Sequence, residues 1–307
     1  MRIANAAVLF LLFVCGAVSA RPQGYVDAPV ATTNSAPSAG KYDIIGIKLG
    51  MSSHQASEIL KAHKPALEFK PDTIKYDVLP GPMAYGVFAA NQAAFLHGGD
   101  IGAPNSERLY LLLSMPPAKE QVVTNVIRMV VFSKETAPTA DNLVADLVKK
   151  YGPLSYDSHP ADLMISGYRD LWWVDDLNGN RMLNLDANGF VRGCNDMVTF
   201  NSNVLRGYSP ADIRPEPNNI KNRLSQGFDS DLHAKVCGDH TIVRAHLYYS
   251  WVINIKSSEL VGAMGVSVGS VPLDRSSTEA THNMLMQAAQ NHDVQQKKAA
   301  EQNKPVL

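Results

Sequence analysis

Three stretches carry residue types whose spacing could do chemistry. His233, Cys237 and His240, spaced His-x3-Cys-x2-His with Asp229, Asp231 and Asp239 close by, offer nitrogen and thiolate ligands of the kind a tetrahedral zinc ion takes, and Cys194 could complete the set. The spacing is not one of the common finger patterns. In an exported chain, Cys194 and Cys237 are instead expected to pair as a disulfide. Gly265-Val266-Ser267-Val268-Gly269 matches the G-x-S-x-G nucleophile elbow, which needs a strand, a sharp turn at the serine and then a helix. Here Ser267 lies inside strand periodicity and the next helix is expected only near Ser276, so the surroundings are those of a strand.

Two weaker constellations complete the inventory. Asp175, Asp176, Asn178 and Asn180 around Gly179 share residue types with a calcium loop but lack its bidentate glutamate, and a tight turn explains them without an ion. Trp172 and Trp173, adjacent in a strand, must point to opposite faces. One ring is then a core ring, and the other is either covered by a loop or exposed as an anchor for a ligand or partner; Tyr85 and Phe88, with Phe95 and His97 downstream, are candidates of the same kind. Neither a phosphate-binding loop nor a dinucleotide fingerprint is present, so no cofactor is expected and binding is favoured over catalysis without deciding against an enzyme.

The ends of the chain indicate where it goes. Arg2, the apolar run Ala6 to Val14 and the small residues Val18-Ser19-Ala20 form a secretory signal peptide over 1–20, with cleavage expected before Arg21. The chain is therefore expected in the periplasm or outside a bacterial cell, with no membrane span once the signal is removed. Residues 21–41, rich in Pro, Ala, Ser and Thr, read as a disordered leader. The 307 residues are 45% hydrophobic and 19% charged with a formal net charge of -1, ample for a sizeable core and without the basic footprint that nucleic acid requires.

The elements that would position these residues follow from periodicity. Ile45, Ile47 and Leu49 alternate with Gly46, Lys48 and Gly50 as an opening strand. Gly50 turns the chain, Ser52 and Gln55 form a capping box with Met51 as staple, and a helix runs from Ser53 until Pro65 ends it. Strands are expected at Leu67 to Lys70, Ile74 to Val78, Arg108 to Ser114 and Val122 to Ser133, with Ala84 to Leu96 either strand or helix. A second helix is capped by Thr139, buries Leu143, Val144, Leu147, Val148 and Tyr151, and ends at Gly152-Pro153. Asn178-Gly179 and Asn188-Gly189 mark hairpins joining Leu171 to Asp175, Met182 to Leu185 and Phe190 to Arg192. Residues 201–236 read as a long irregular segment, bracketed by Cys194 and Cys237, whose bond would close a loop of about 43 residues and stabilise the fold by roughly 4 kcal/mol. Thr241 to Lys256 reads as a strand buried on one face, Leu260 to Val271 as its hairpin partner, and Ser276 with Glu279 as the capping box of a last helix.

The stretch Gly46 to Lys64, with its I-x-L-G-M-S sequence followed by a helix, resembles the opening element of the fold shared by the small lipoprotein of the outer-membrane β-barrel assembly machine and by β-lactamase-inhibitor proteins. The resemblance covers about twenty residues. It implies helices packed on one face of an antiparallel sheet, and binding to other proteins as the activity. No second G-M-[ST] copy is present, and the chain is far longer than one such unit.

Together these readings predict an α+β fold: an antiparallel sheet with helices on one face, continued by a disulfide-stapled β-rich region. The α+β domain would span 42–275, as one body or as lobes 42–158 and 159–275, followed by a C-terminal helix and frayed tail over 276–307. The expected role is an exported protein-binding or envelope-assembly protein whose partner is another envelope protein or a small ligand. The alternatives are a metal-binding protein using His233, Cys237 and His240, or a serine hydrolase at Ser267.

Overall fold

The computed structural model describes residues 40–91, 105–114, 120–158, 168–185, 217–227, 238–249 and 260–302. The chain opens with a hairpin of two short strands, β1 (Asp43–Ile44) and β2 (Ile47–Lys48), where a single strand is expected from the alternation. Ile45 and Gly46 both take positive φ, 50° and 88°, which makes the two-residue turn whose twist suits a hairpin. Asp43 Oδ2 holds that turn by accepting from the Gly46 amide at 2.9 Å. Helix α1 (Ser53–His63) follows with the expected capping box, Ser52 Oγ accepting from the Gln55 amide and Gln55 Oε1 accepting from the Ser52 amide.

Four antiparallel strands come next: β3 (Leu67–Ile74), β4 (Met83–Asn91), β5 (Glu107–Leu113) and β6 (Val123–Val131). β3 is one strand where two are expected, because it lies at the sheet edge, where Pro71 loses no ladder bond, and it absorbs the irregularity as a register shift between Asp72 and Thr73. Helix α2 (Ala140–Tyr151) is capped by Thr139 as expected and buries Leu147 and Tyr151. Then come β7 (Tyr156–Asp157), β8 (Tyr168–Asp175), β9 (Arg181–Met182), helix α3 (Pro217–Gln226), β10 (Thr241–Tyr249), β11 (Val261–Ser270) and helix α4 (Val271–Gln302).

One antiparallel sheet collects these strands in the order β3-β4-β5-β6-β11-β10-β8-β7, with β9 paired to β8. The order is a palindrome of two units, each a helix followed by a four-strand meander: α1 with β3 to β6, and α2 with β7, β8, β10 and β11. β9 and α3 are inserted in the second unit. The units meet where β6 and β11 pair, and their starts are tied in the same way. Ser52 bridges Val122, just before β6, and Thr139 bridges Leu260, just before β11. The Val123 amide donates to Met51 O at 2.8 Å and the Val261 amide to Pro138 O at 2.9 Å. The second unit's opening is therefore built on Pro138-Thr139, with no G-M-S sequence.

Helices cover both faces of the sheet, a correction to the expected single helical face. One face buries Ala56 and Leu60 of α1, Leu147 and Tyr151 of α2, and the β1–β2 hairpin residues Ile44 and Ile47 against Leu111, Val126, Val243, Val266 and Trp173. The other collects Ile220 and Leu224 of α3 and Leu285 of α4 with Phe88, Tyr110, Ile127 and Tyr248. Consequently β10 and β11 are buried at every residue, and the expected solvent face of β10 does not exist.

α3 also corrects the irregular reading of 201–236 over its own residues, Pro217–Gln226, the rest of that segment, Gly227 apart, lying outside the described residues. Its Ile220 and Leu224 are four apart and make one buried stripe. α4 starts five residues before the expected Ser276. Ser270 Oγ accepts from the Leu273 amide at 3.5 Å, Pro272 suits a first helical turn, and Ser276 lies inside the helix, its Oγ donating to Leu273 O. Leu285 is the last buried residue of this helix, and from 291 onward it is exposed.

Candidate functional site

The antiparallel register of β8 and β10 sets Tyr168 opposite Tyr248, Asp170 opposite His246 and Trp172 opposite Arg244. With a two-residue period, Y-x-D-x-W on one strand and R-x-H-x-Y on the next put all six side chains on the face that α3 and α4 cover. His246 and Arg244 are 1% and 3% exposed, so ionisable groups that alternation assigns to solvent are interior.

These side chains bond to one another. His246 Nδ1 lies 2.5 Å from Asp170 Oδ1, and the Arg244 guanidinium donates to both Asp170 oxygens at 2.9 Å from Nη2. The same guanidinium lies 5.1 Å over the Trp172 ring. Tyr168 stacks on the imidazole at 4.4 Å between centroids, and Tyr248 lies against it at 4.3 Å. Burial alone would raise the Asp170 carboxyl, but His246 and Arg244 reverse that and hold it at about 2. Burial is also the largest influence on His246 and lowers its pKa, with Arg244 adding to the effect against the opposing pull of Asp170. The arrangement is thus a carboxylate neutralised by Arg244 and a neutral imidazole that donates from Nδ1. His246 Nε2 is buried without a hydrogen-bond partner, as is Trp172 Nε1. Chemically this is an oriented acid–histidine pair, its imidazole fixed in one tautomer by Asp170 and its Nε2 enclosed.

Ser267 shares that face. It pairs with Arg244 on one side and Ile127 on the other, while its neighbour Gly265 is opposite His246. Both strand partners hold residues 265–269 extended, so the serine is fully buried in a central strand and has no elbow geometry. The strand context read from the sequence stands.

The aromatic candidates are corrected as exposed anchors. Trp172 and Trp173 are fully buried and do point to opposite faces, and Tyr85 and Phe88 are 3% and 5% exposed. The second helical layer covers the face on which the sequence allowed an open ring. Trp173 Nε1 donates to Gly152 O at 2.8 Å and its ring lies 5.4 Å from Tyr151, which fastens α2 to the sheet. Cys194, Cys237, His233, Phe95 and His97 lie outside the described residues. His240 is described, just before β10, where its carbonyl accepts from the Val271 amide. Among the described residues no group of three or more His, Cys, Asp or Glu could hold a metal ion. The Asp176 carboxylate is occupied by the Asn178 and Asn180 amides at 2.9 and 2.8 Å, the turn reading of that loop.

Two other charged clusters tie elements together. Asp175, fully buried, accepts from Tyr42 Oη at 2.5 Å, Lys41 Nζ at 2.8 Å and Arg181 Nε at 2.8 Å. Burial would raise its carboxyl, and these bonds lower it instead. Lys41 is therefore part of the clasp, not of the leader. Glu107 accepts from Arg128 Nε at 2.6 Å and meets His63 Nε2 at 2.9 Å, joining the end of α1 to β5 and β6; burial would raise its carboxyl, and Arg128 and His63 together hold it low.

No family model, curated protein or solved structure matches the chain. Among the described residues no helix is long and apolar enough to cross a membrane. The sequence reading missed Asp170 altogether and placed Arg244 and His246 in solvent. The available signal was the interleaving of charge with Leu171, Trp173, Val243, Ala245 and Leu247, all of them large or β-branched apolar groups or alanine.

Proposed function

We propose that this chain is an exported protein-binding module of the bacterial envelope. The observation that carries the reading is the doubled helix-plus-four-strand unit: α1 and α2 lie on the same face of one sheet, and Ser52 and Thr139 are tied alike to the last strand of their units. Two such units sharing a sheet give a broad rigid body, the kind of scaffold that presents a fixed surface to another macromolecule. The resemblance of Gly46 to Lys64 to the opening element of two protein-binding families supports the same reading. The signal-like N-terminus supplies the compartment.

Photo-crosslinking in intact cells tests it. A photoreactive residue is placed in turn at Glu58 on α1, Asp146 on α2, and Leu177 and Leu183 beside the β8–β9 turn, all exposed. The expected result is a mature chain starting at Arg21 in the envelope fraction and a discrete crosslinked partner from adjacent positions. A chain retained in the cytoplasm with its N-terminus intact, or crosslinks from no position, overturns the reading.

A further inference from the structure

Asn178-Gly179 turns the chain from β8 into β9, and an asparagine followed by a glycine is also a chemically labile pair, since no Cβ shields the glycine nitrogen from the neighbouring carboxamide. That nitrogen can attack Asn178 Cγ. The new C–N bond closes a five-membered imide, the side-chain nitrogen leaves as ammonia with the Gly179 amide proton, and water then opens the ring. Opening at the former Cγ gives aspartate. Opening at the Asn178 main-chain carbonyl gives isoaspartate, whose backbone runs on through the side chain. Asn178 is exposed, so water reaches it.

The turn restrains both reacting groups through one residue. The Gly179 amide donates to Asp176 O at 3.0 Å, and the Asp176 amide closes the turn on Asn180 O at 2.9 Å. The Asn178 and Asn180 amides donate to Asp176 Oδ1 at 2.9 and 2.8 Å, and Asn180 Nδ2 donates to Asp176 Oδ2 at 3.1 Å. The attacking nitrogen and the backbone before the attacked side chain are thus both tied to Asp176, so attack waits for the turn to open. We infer that Asn178 is a deamidation site held closed by Asp176, and that its conversion to isoaspartate disarms the Asp175 clasp. The isoaspartyl link adds one carbon to the backbone inside the turn that sets Arg181 opposite Asp175. From that register Arg181 reaches the fully buried carboxylate from Nε at 2.8 Å and Tyr151 O from Nη2 at 3.0 Å. Moving Arg181 out of register leaves Asp175 with Lys41 and Tyr42 alone.

Incubation of the full mature chain at mildly alkaline pH, followed by tryptic mass mapping and isoaspartate-specific enzymatic methylation, tests both halves. Trypsin cuts after Arg181, which separates Asn178 from the other Asn-Gly pair at Asn188-Gly189. The folded chain is expected to convert Asn178 at least about tenfold more slowly than the same chain unfolded in urea, the factor that a turn closed by a few hydrogen bonds supplies. D176A keeps the Gly179 bond and loses those of Asn178 and Asn180, so it should convert several-fold faster than wild type. No conversion in the unfolded chain, equal rates in folded and unfolded chains, or no acceleration in D176A overturns the proposal. If D176A does not fold, the folded-to-unfolded ratio of the wild type decides alone. The isoaspartyl chain, separated by ion exchange, is expected to unfold at lower urea than N178D, which carries the same charge on an unaltered backbone. Equal midpoints overturn the effect on the clasp.

Discussion

Ser52 and Thr139 occupy the same place in the two halves of the sheet. Each caps a helix through its side-chain oxygen, on the Gln55 and Asn142 amides respectively, and each bridges the residue just before the last strand of its own unit. The pair shows that the two halves close by one device, a helix start stitched to the strand at the seam. The β1–β2 hairpin lies over that seam, so both units and their junction share a single apolar layer.

Ser52→Ala and Thr139→Ala should each lower stability by about 1 kcal/mol, the usual cost of losing an N-cap oxygen. The bridges use backbone groups and survive both substitutions. Because the two sites share no partner, the double variant should lose the sum within about 0.5 kcal/mol, read from urea unfolding monitored by circular dichroism. A marked excess over the sum would mean that the caps cooperate across the seam.

Asp175→Asn should be far more damaging than Lys41→Ala. Asp175 is fully buried, and its loss as a charge leaves the Arg181 guanidinium uncompensated, a change that costs about 3 kcal/mol or more. Lys41 is half exposed and its removal leaves Tyr42 and Arg181 on the carboxylate, so it should have little effect. Unfolding midpoints of the two variants compare the losses directly.

Stability should fall in two stages on acidification. His246 has a lowered pKa in the folded chain, so below about pH 6.5 the unfolded state binds a proton that the folded state refuses, and stability drops by up to about 1.4 kcal/mol per pH unit. Asp170, at about 2 when folded, adds stability that is complete above its ordinary value and is lost as pH falls from about 4 towards 2. Glu107 and Asp175, also held low, steepen that second stage. Urea unfolding from pH 8 to pH 3 in wild type and H246Q separates the stages, since the first should vanish in the variant while the second is reduced by the loss of His246 from Asp170 but kept by Arg244, Glu107 and Asp175.

Gly86→Ala should destabilise the first unit by about 1–3 kcal/mol. A Cβ on Gly86 would stand 2.7 Å from Leu111 O and 2.7 Å from Tyr110 Oη, and the carbonyl belongs to the paired strand and cannot yield. Gly50→Ala meets no atom within 4 Å but takes a φ of +82°, so its cost is backbone strain alone. Thermal unfolding of the two variants distinguishes a clash from a turn.

Local signals were legible where one element decides its own shape. The Ser52–Gln55 box, the Thr139 cap, the end of α2 at Gly152 and the long β5–β6 and β10–β11 pairs all stand where the residues put them. Ile45 misled because a β-branched residue with positive φ is rare, and alternation through it imitates a strand. α3 was hidden by its polar composition, in which Ile220 and Leu224 are the only large apolar groups.

By itself the sequence determined the helix starts, the strand periodicity, the α+β class and the strand setting of Ser267, because capping, turn chemistry and side-chain alternation act over a few residues. Only the tertiary structure decided that the sheet is doubled about the β6–β11 seam and covered on both faces. That cover turned Arg244 and His246 from an outward face into an interior, and the β8–β10 register brought them to Asp170 across some 75 residues of chain. A charge in a strand has the same sequence signature whether water or a helix lies over it, and burial is a property of what packs on top.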